Sequence, residues 1–207
     1  METLQTRSTP TPYIIILSGT HVTGKETIAI NLSYSLNTHW LKGEPVSNSA
    51  NLAARSNAKR ANSDSDYATV YGRTWLMRMR MMGLEIPVSV PRSPDNETTD
   101  GEKENCIALV TNYHLRKPAR DGVRASLLAE GVRAIFVILQ ITPGVLSGRT
   151  LGAEEPELAE RILKEKVEDL REPFDEETDV LVVDSMQDVD SLTVGIEEII
   201  RRQVGIV

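Results

Sequence analysis

The residues Gly19-Thr20-His21-Val22-Thr23-Gly24-Lys25 have the composition of a loop that closes around a polyphosphate. Two glycines let backbone N–H groups approach the phosphate oxygens closely, and a following helix N-terminus adds partial positive charge. The lysine neutralises the β- and γ-phosphates. The complete motif has Ser or Thr after the lysine, where a hydroxyl holds Mg²⁺, whereas this chain has Glu26 there and Thr27 one place later. ATP is therefore expected along Gly19, Thr20, His21, Val22, Thr23, Gly24, Lys25, Glu26 and Thr27, with Glu26 and Thr27 as the candidates for Mg²⁺. The Glu26 carboxylate would either ligate the ion or repel the β-phosphate.

Such a loop needs a strand before it and a helix after it. The apolar run Tyr13-Ile14-Ile15-Ile16-Leu17 has the length and β-branched content of a buried strand, and Ile28, Ile30, Leu32 and Leu36 lie among small residues suited to a helix. Three more runs read as buried parallel strands, at 107–110, 134–139 and 180–183. Helical patterns occupy 67–82, 120–130, 156–171 and 189–204, the last with Leu192, Ile196, Ile199 and Ile200 inward. This alternation predicts an α/β three-layer fold, a parallel sheet flanked by helices, with the P-loop at the end of its first strand. His39 and Trp40 fall in a second strand, and 48–66 reads as a loop or weak helix. Residues 1–12 read as a disordered arm and 87–105 as a disordered insertion within one domain over 13–207.

Composition narrows the function classes. The chain has 207 residues with 23 Lys+Arg against 30 Asp+Glu, a formal net charge of -7, which is poor footing for neutralising a nucleic-acid backbone. The single cysteine, Cys106, rules out an intramolecular disulfide and a thiolate metal cage, and reads as a small hydrophobe at a strand start. His21, His39 and His114 form no metal pattern. With no signal-like core and no apolar run of bilayer length, the expectation is a cytoplasmic protein with no membrane partner. In the run Met77-Arg78-Met79-Arg80-Met81-Met82, Met79 and Met82 are expected in the core.

Further blocks carry a family resemblance. Leu170-Arg171-Glu172-Pro173-Phe174-Asp175-Glu176-Glu177-Thr178-Asp179-Val180-Leu181-Val182-Val183-Asp184 closely resembles the last strand of gluconokinases and its approach. Leu115-Arg116-Lys117-Pro118-Ala119-Arg120-Asp121 resembles that family's Leu-Lys-Arg-x-Tyr-Arg-Asp segment, and Tyr71-Gly72-Arg73-Thr74-Trp75-Leu76 its Asp-Arg-x-x-Trp-Leu element. Gly43-Glu44-Pro45-Val46-Ser47-Asn48-Ser49-Ala50-Asn51 resembles the Gly-Asp-x-x-His-x-x-x-Asn region. With the glycine-rich loop these blocks run through most of the chain in the family's order.

The resemblance implies a shikimate-kinase-like fold with a substrate-binding portion at about 43–86 and a lid at about 147–157. It implies transfer of the ATP γ-phosphoryl group to the 6-hydroxyl of gluconate. Lys25, Glu44 and Arg120 would be catalytic, Glu44 standing where the family has the aspartate that resembles a general base. Glu44, Asn51, Arg73, Arg116 and Arg120 would bind the sugar acid, and the sequence leaves room for a homodimer.

The departures are equally specific. Ser47 replaces the substrate-portion histidine, Ala54-Arg55 replace Lys-Met, and Glu165-Lys166 replace Ser-Gln. With Arg149 at the start of the lid, Ala153 stands where a second lid arginine would be and Pro156 at a His-Phe pair, beside Glu154, Glu155 and Glu157. Phosphoryl transfer depends on cations around the transferring group. Two rival readings follow: a catalytically impaired nucleotide-binding pseudokinase or interaction module of the same fold, and a kinase for another small polyol or acid.

Overall fold

The computed structural model describes residues 11–19, 23–61, 65–87, 105–113, 115–142, 144 and 177–205. Thr20, His21 and Val22, the arm up to residue 10, most of the expected insertion, the expected lid and the helical pattern at 156–171 lie outside these residues.

Five strands, β1 (Tyr13–Gly19), β2 (His39–Lys42), β3 (Cys106–Asn112), β4 (Arg133–Gln140) and β5 (Val180–Asp184), form one parallel sheet in the order β2-β3-β1-β4-β5. The helices are α1 (Lys25–Ser35), α2 (Glu44–Ala61), α3 (Ser65–Met81), α4 (Lys117–Leu128) and α5 (Val189–Val204). Every residue of β1 is buried, as a central parallel strand covered on both faces requires. Its side chains alternate between two cores. Ile14 and Ile16 face the layer of α2, α3 and α4, where Trp75, Tyr71, Met79, Val123 and Leu127 pack. Tyr13, Ile15 and Leu17 face α1 and α5, where Ile28, Leu32, Leu192, Ile196 and Ile200 pack.

β1 lies between β3 and β4 with the chain leaving its C-terminal end toward α1, while β3 feeds α4 on the opposite face. The C-terminal ends of β1 and β3 therefore border a crevice of the kind in which open α/β sheets hold ligands. Ser18 and Asn112 are register partners at this edge.

The polar stretch read as a loop or weak helix is part of α2, an 18-residue helix. Its buried positions are small, Val46, Ser47, Ala50 and Ala54, and pack against the large residues of α3. α3 packs as tightly on α4: a Cβ on Gly72 would stand 1.9 Å from the Gly122 carbonyl oxygen, and one on Gly122 would stand 2.0 Å from that of Ala68. Five expectations change. Met82 lies beyond α3 and is exposed, leaving Met79 alone in the core; Ile199 is exposed rather than inward; Cys106 is only half-buried; β5, read as a buried strand, lies at the sheet edge with Val182 exposed; and Asn105, read as disordered, is described, its carbonyl accepting from the Tyr13 N–H at 2.9 Å.

Candidate functional site

The glycine-rich turn starts where β1 ends. A Cβ on Gly19 would meet Thr23 Oγ1 at 2.8 Å and the Leu139 carbonyl at 3.0 Å, so only glycine fits under the turn. Gly24, at φ 74°, occupies the left-handed region and caps α1. Lys25, the first residue of α1, is 5% exposed. A buried lysine at a helix N-terminus beside two glycines fits a phosphate.

Lys25 meets Glu44 there: Nζ and Oε1 are 3.5 Å apart. Glu44 opens α2 because Gly43 turns against the end of β3, its N–H donating to the Thr111 carbonyl at 2.7 Å. A Cβ on Gly43 would stand 2.7 Å from that same oxygen, so this position too admits only glycine. The other Glu44 oxygen, Oε2, accepts from the Thr111 hydroxyl at 3.2 Å, and that hydroxyl accepts in turn from Trp40 Nε1 at 3.2 Å. An indole N–H only donates, so the chain Trp40 to Thr111 to Glu44 has one direction and fixes the carboxylate. Glu44 Oε1 is buried and makes no hydrogen bond. The Lys25 ammonium also lies 5.9 Å from the centroid of the Tyr113 ring.

From Glu44 the site extends along the α2–α3 seam. Tyr67 donates its hydroxyl to Asn51 Oδ1 at 3.1 Å and stacks on Tyr71, with centroids 5.8 Å apart. One turn further, Ser47 Oγ and Tyr71 OH sit against each other without completing a hydrogen bond of normal geometry. Burial pushes the Tyr71 phenol well above its ordinary value and keeps it neutral. Burial also raises Tyr67, opposed by the charges of Arg55 and Arg116. Trp75 Nε1 and Asn112 Nδ2 are likewise buried without partners. One carboxylate oxygen, two hydroxyls and two N–H groups are thus buried without a completed hydrogen bond around the α2–α3 seam and the end of β3, a set suited to a polyhydroxylated molecule.

Two expected substrate arginines are elsewhere. Arg120 is fully buried, its guanidinium bound to Glu177 by Nε–Oε2 and Nη2–Oε1 contacts of 3.1 and 2.5 Å and donating through Nη1 to the Leu115 carbonyl. It is held by the fold rather than presented to the crevice, because Glu177, just before β5, packs on the second turn of α4. Arg73 is exposed and lines a groove of about 820 Å³ between α3 and α4 with Arg80, Asp121 and Glu130, on the side of α3 away from Tyr71. Arg116 caps the N-terminus of α4, and Lys117 pairs with Asp121 at 3.1 Å.

Glu26 is exposed with its carboxylate 3.3 Å from Lys42 Nζ, and Thr27 is exposed. Among the described residues no cluster of three potential ligands exists. Both residues stand in the first turn of α1, directly after Lys25.

No protein-family profile matches the chain. It is 23% identical over 191 residues to the thermoresistant gluconokinase of Escherichia coli (strain K12), covering 92% of this chain and 94% of that protein. The solved structure of a sugar kinase from Janibacter sp. HTCC2649 aligns with a TM-score of 0.56 at 15% identity, covering 90% of this chain and 93% of the other. A gluconokinase from Sinorhizobium meliloti 1021 aligns with a TM-score of 0.51 at 16% identity, covering 94% and 99%. The chain has the gluconokinase-like P-loop kinase fold. Among the described residues of this gluconokinase-like chain, no helix is long and apolar enough to cross a membrane. Arg55, Tyr67, Tyr71, Thr111 and Asn112 were not among its expected site residues. For Thr111 and Asn112 the signal was their place at the end of a buried run, where α/β sheets bind ligands.

Proposed function

We propose that this protein transfers the γ-phosphoryl group of ATP to a hydroxyl of a small sugar acid, as in conversion of D-gluconate to 6-phosphogluconate. The observation that carries this reading is Glu44: a fixed carboxylate whose Oε1 lies 3.5 Å from the buried Lys25 and accepts no hydrogen bond. The gluconokinase and sugar-kinase relatives support the reaction class.

In the proposed reaction the phosphates of ATP compete with Glu44 for Lys25, which neutralises their charge and leaves Glu44 Oε1 open to the acceptor. The acceptor oxygen forms a bond to the γ-phosphorus while the bond to the β-phosphate oxygen breaks, its electron pair leaving on ADP. The hydroxyl proton passes to Glu44. The seam of Ser47, Asn51, Tyr67 and Tyr71 holds the remaining hydroxyls, and Arg55 and Arg116 favour an acidic substrate at its far end. A divalent ion, when bound, would supply further neutralisation of the phosphate oxygens. Cytoplasmic localisation and a homodimer belong to this reading.

A second reading has its own observations. Arg120 is sequestered and Glu26 is paired with Lys42, which favours slow turnover or a nucleotide-binding pseudokinase.

The test is ADP formation in the presence of sugar acids, polyols and nucleoside monophosphates, beside calorimetric binding of ATP. The reading expects turnover with at least one sugar acid, lowered about 10²- to 10⁴-fold by Glu44→Gln with ATP binding retained. Tight ATP binding with no acceptor turned over favours the pseudokinase, and turnover with polyols alone makes the protein a kinase of another acceptor.

A further inference from the structure

Asn112 is the last residue of β3, register partner of Ser18 one residue before the glycine-rich turn, and is completely buried. Its Oδ1 accepts from the Tyr113 N–H at 2.9 Å, which fixes the amide orientation and aims Nδ2 the other way. There Nδ2 has no partner. It lies 3.5 Å from where a Cβ on Gly43 would stand, so it borders the turn that begins α2 and carries Glu44. Glu44 Oε2 is anchored on Thr111, while Oε1 is buried, accepts no hydrogen bond and lies 3.5 Å from Lys25 Nζ. A buried N–H donor with no partner and a buried carboxylate oxygen that accepts no hydrogen bond and faces only the Lys25 ammonium therefore both border the Gly43–Glu44 turn. Leaving such groups unmatched is costly, and the protein bears that cost at the one place where β3, α2 and α1 converge.

A group that satisfies both must accept one hydrogen bond and donate another. We infer that Asn112 Nδ2 and Glu44 Oε1 together clamp the reacting hydroxyl of an alcohol acceptor. Asn112 donates to a lone pair of the oxygen, and the O–H points at Glu44. A second lone pair is left for the phosphorus, and the proton has one acceptor to go to. Asn112 exchanges no proton itself; it is a substrate-positioning residue whose amide selects an alcohol over a group unable to accept. The inference rests on the kinase reading above and adds the residue that sets the geometry of the acceptor.

The decisive variant is Asn112→Asp, which keeps the oxygen facing the Tyr113 N–H but replaces the donor with an acceptor. Asn112→Leu removes both at similar volume. The probes are ATP, D-gluconate and sorbitol, with binding read by calorimetry, KM and kcat by ADP release, and folding by thermal unfolding. We expect ATP affinity within about twofold of wild type for both variants, and a loss of kcat/KM for the phosphorylated acceptor on the order of tenfold to hundredfold in both. If Asn112→Asp retains wild-type kcat/KM while Asn112→Leu loses it, Asn112 serves only to hold the Tyr113 N–H, and the inference is overturned while the kinase reading stands. If wild-type protein binds ATP yet neither binds nor phosphorylates D-gluconate or sorbitol, the kinase reading fails and this inference falls with it.

Discussion

Removing the Glu177 carboxylate should destabilise the fold far more than an ordinary ion-pair deletion. Glu177 is 6% exposed and Arg120 is 0% exposed, and three hydrogen bonds end on its oxygens: two from Arg120 and one from Arg124 Nη2 at 2.7 Å. Arg124 keeps Asp179 at 2.6 Å and Asp121 at 2.5 Å, while Glu177→Ala removes the carboxylate that both Nε and Nη2 of the buried Arg120 bind. Breaking a buried pair from one side costs about 3–5 kcal/mol, against roughly 5–15 kcal/mol for the stability of a whole domain. At roughly 2–4 °C per kcal/mol for a chain of this size, the midpoint of thermal unfolding should fall by about 6–20 °C. Calorimetry on Glu177→Ala measures it, with Arg120→Met/Glu177→Leu as the control that removes both charges and should recover most of the loss. A fall below about 2 °C, or a double variant as unstable as the single one, would refute the claim that Arg120 is bound by the fold. If Arg120 instead served the phosphates, ATP affinity would change with Arg120→Met.

Further outcomes are expected. Burial pushes Glu177 upward, but hydrogen bonds and charge from Arg120 and Arg124 outweigh it and hold the carboxyl below its ordinary 4.5. A depressed folded value contributes stability that is present above 4.5 and is lost as pH falls through that lower value, so Glu177→Gln should flatten the acid limb of a stability-versus-pH curve. Lys25→Ala should weaken ATP binding by about tenfold to a hundredfold in calorimetry, from loss of a charge-assisted contact, and equal affinities would remove the glycine-rich turn from the site. Gly122→Ala places a methyl 2.0 Å from the Ala68 carbonyl and should cost about 1–3 kcal/mol in denaturant unfolding, with α3 and α4 forced apart.

The parallel sheet was legible in the sequence because burial on both faces demands uninterrupted β-branched and aliphatic runs, and those at Ile14, Ala108 and Ile135 are local features; the run at Leu181 has the same composition but forms an edge strand with Val182 45% exposed. The glycine-rich turn was legible for the same reason: Gly19 and Gly24 satisfy steric conditions set by near neighbours. α2 was not, since its inward face is built from Val46, Ser47, Ala50 and Ala54, and small residues show no apolar stripe until Tyr71 and Trp75 are seen to fill the space above them. Nor could residue type decide the arginines. About 100° of helix separates successive residues, so Arg73 faces an outer groove while Tyr71 faces α2, and Arg120 is claimed by Glu177, fifty-seven positions away. Sequence determined which residues form the sheet and the phosphate turn, because those depend on hydrophobicity and backbone sterics within a few residues. Only the tertiary structure decided which charges are spent on the fold and which polar atoms, Glu44 Oε1 and Asn112 Nδ2 among them, are buried without a hydrogen bond, because a hydrogen-bond partner is assigned by proximity in space.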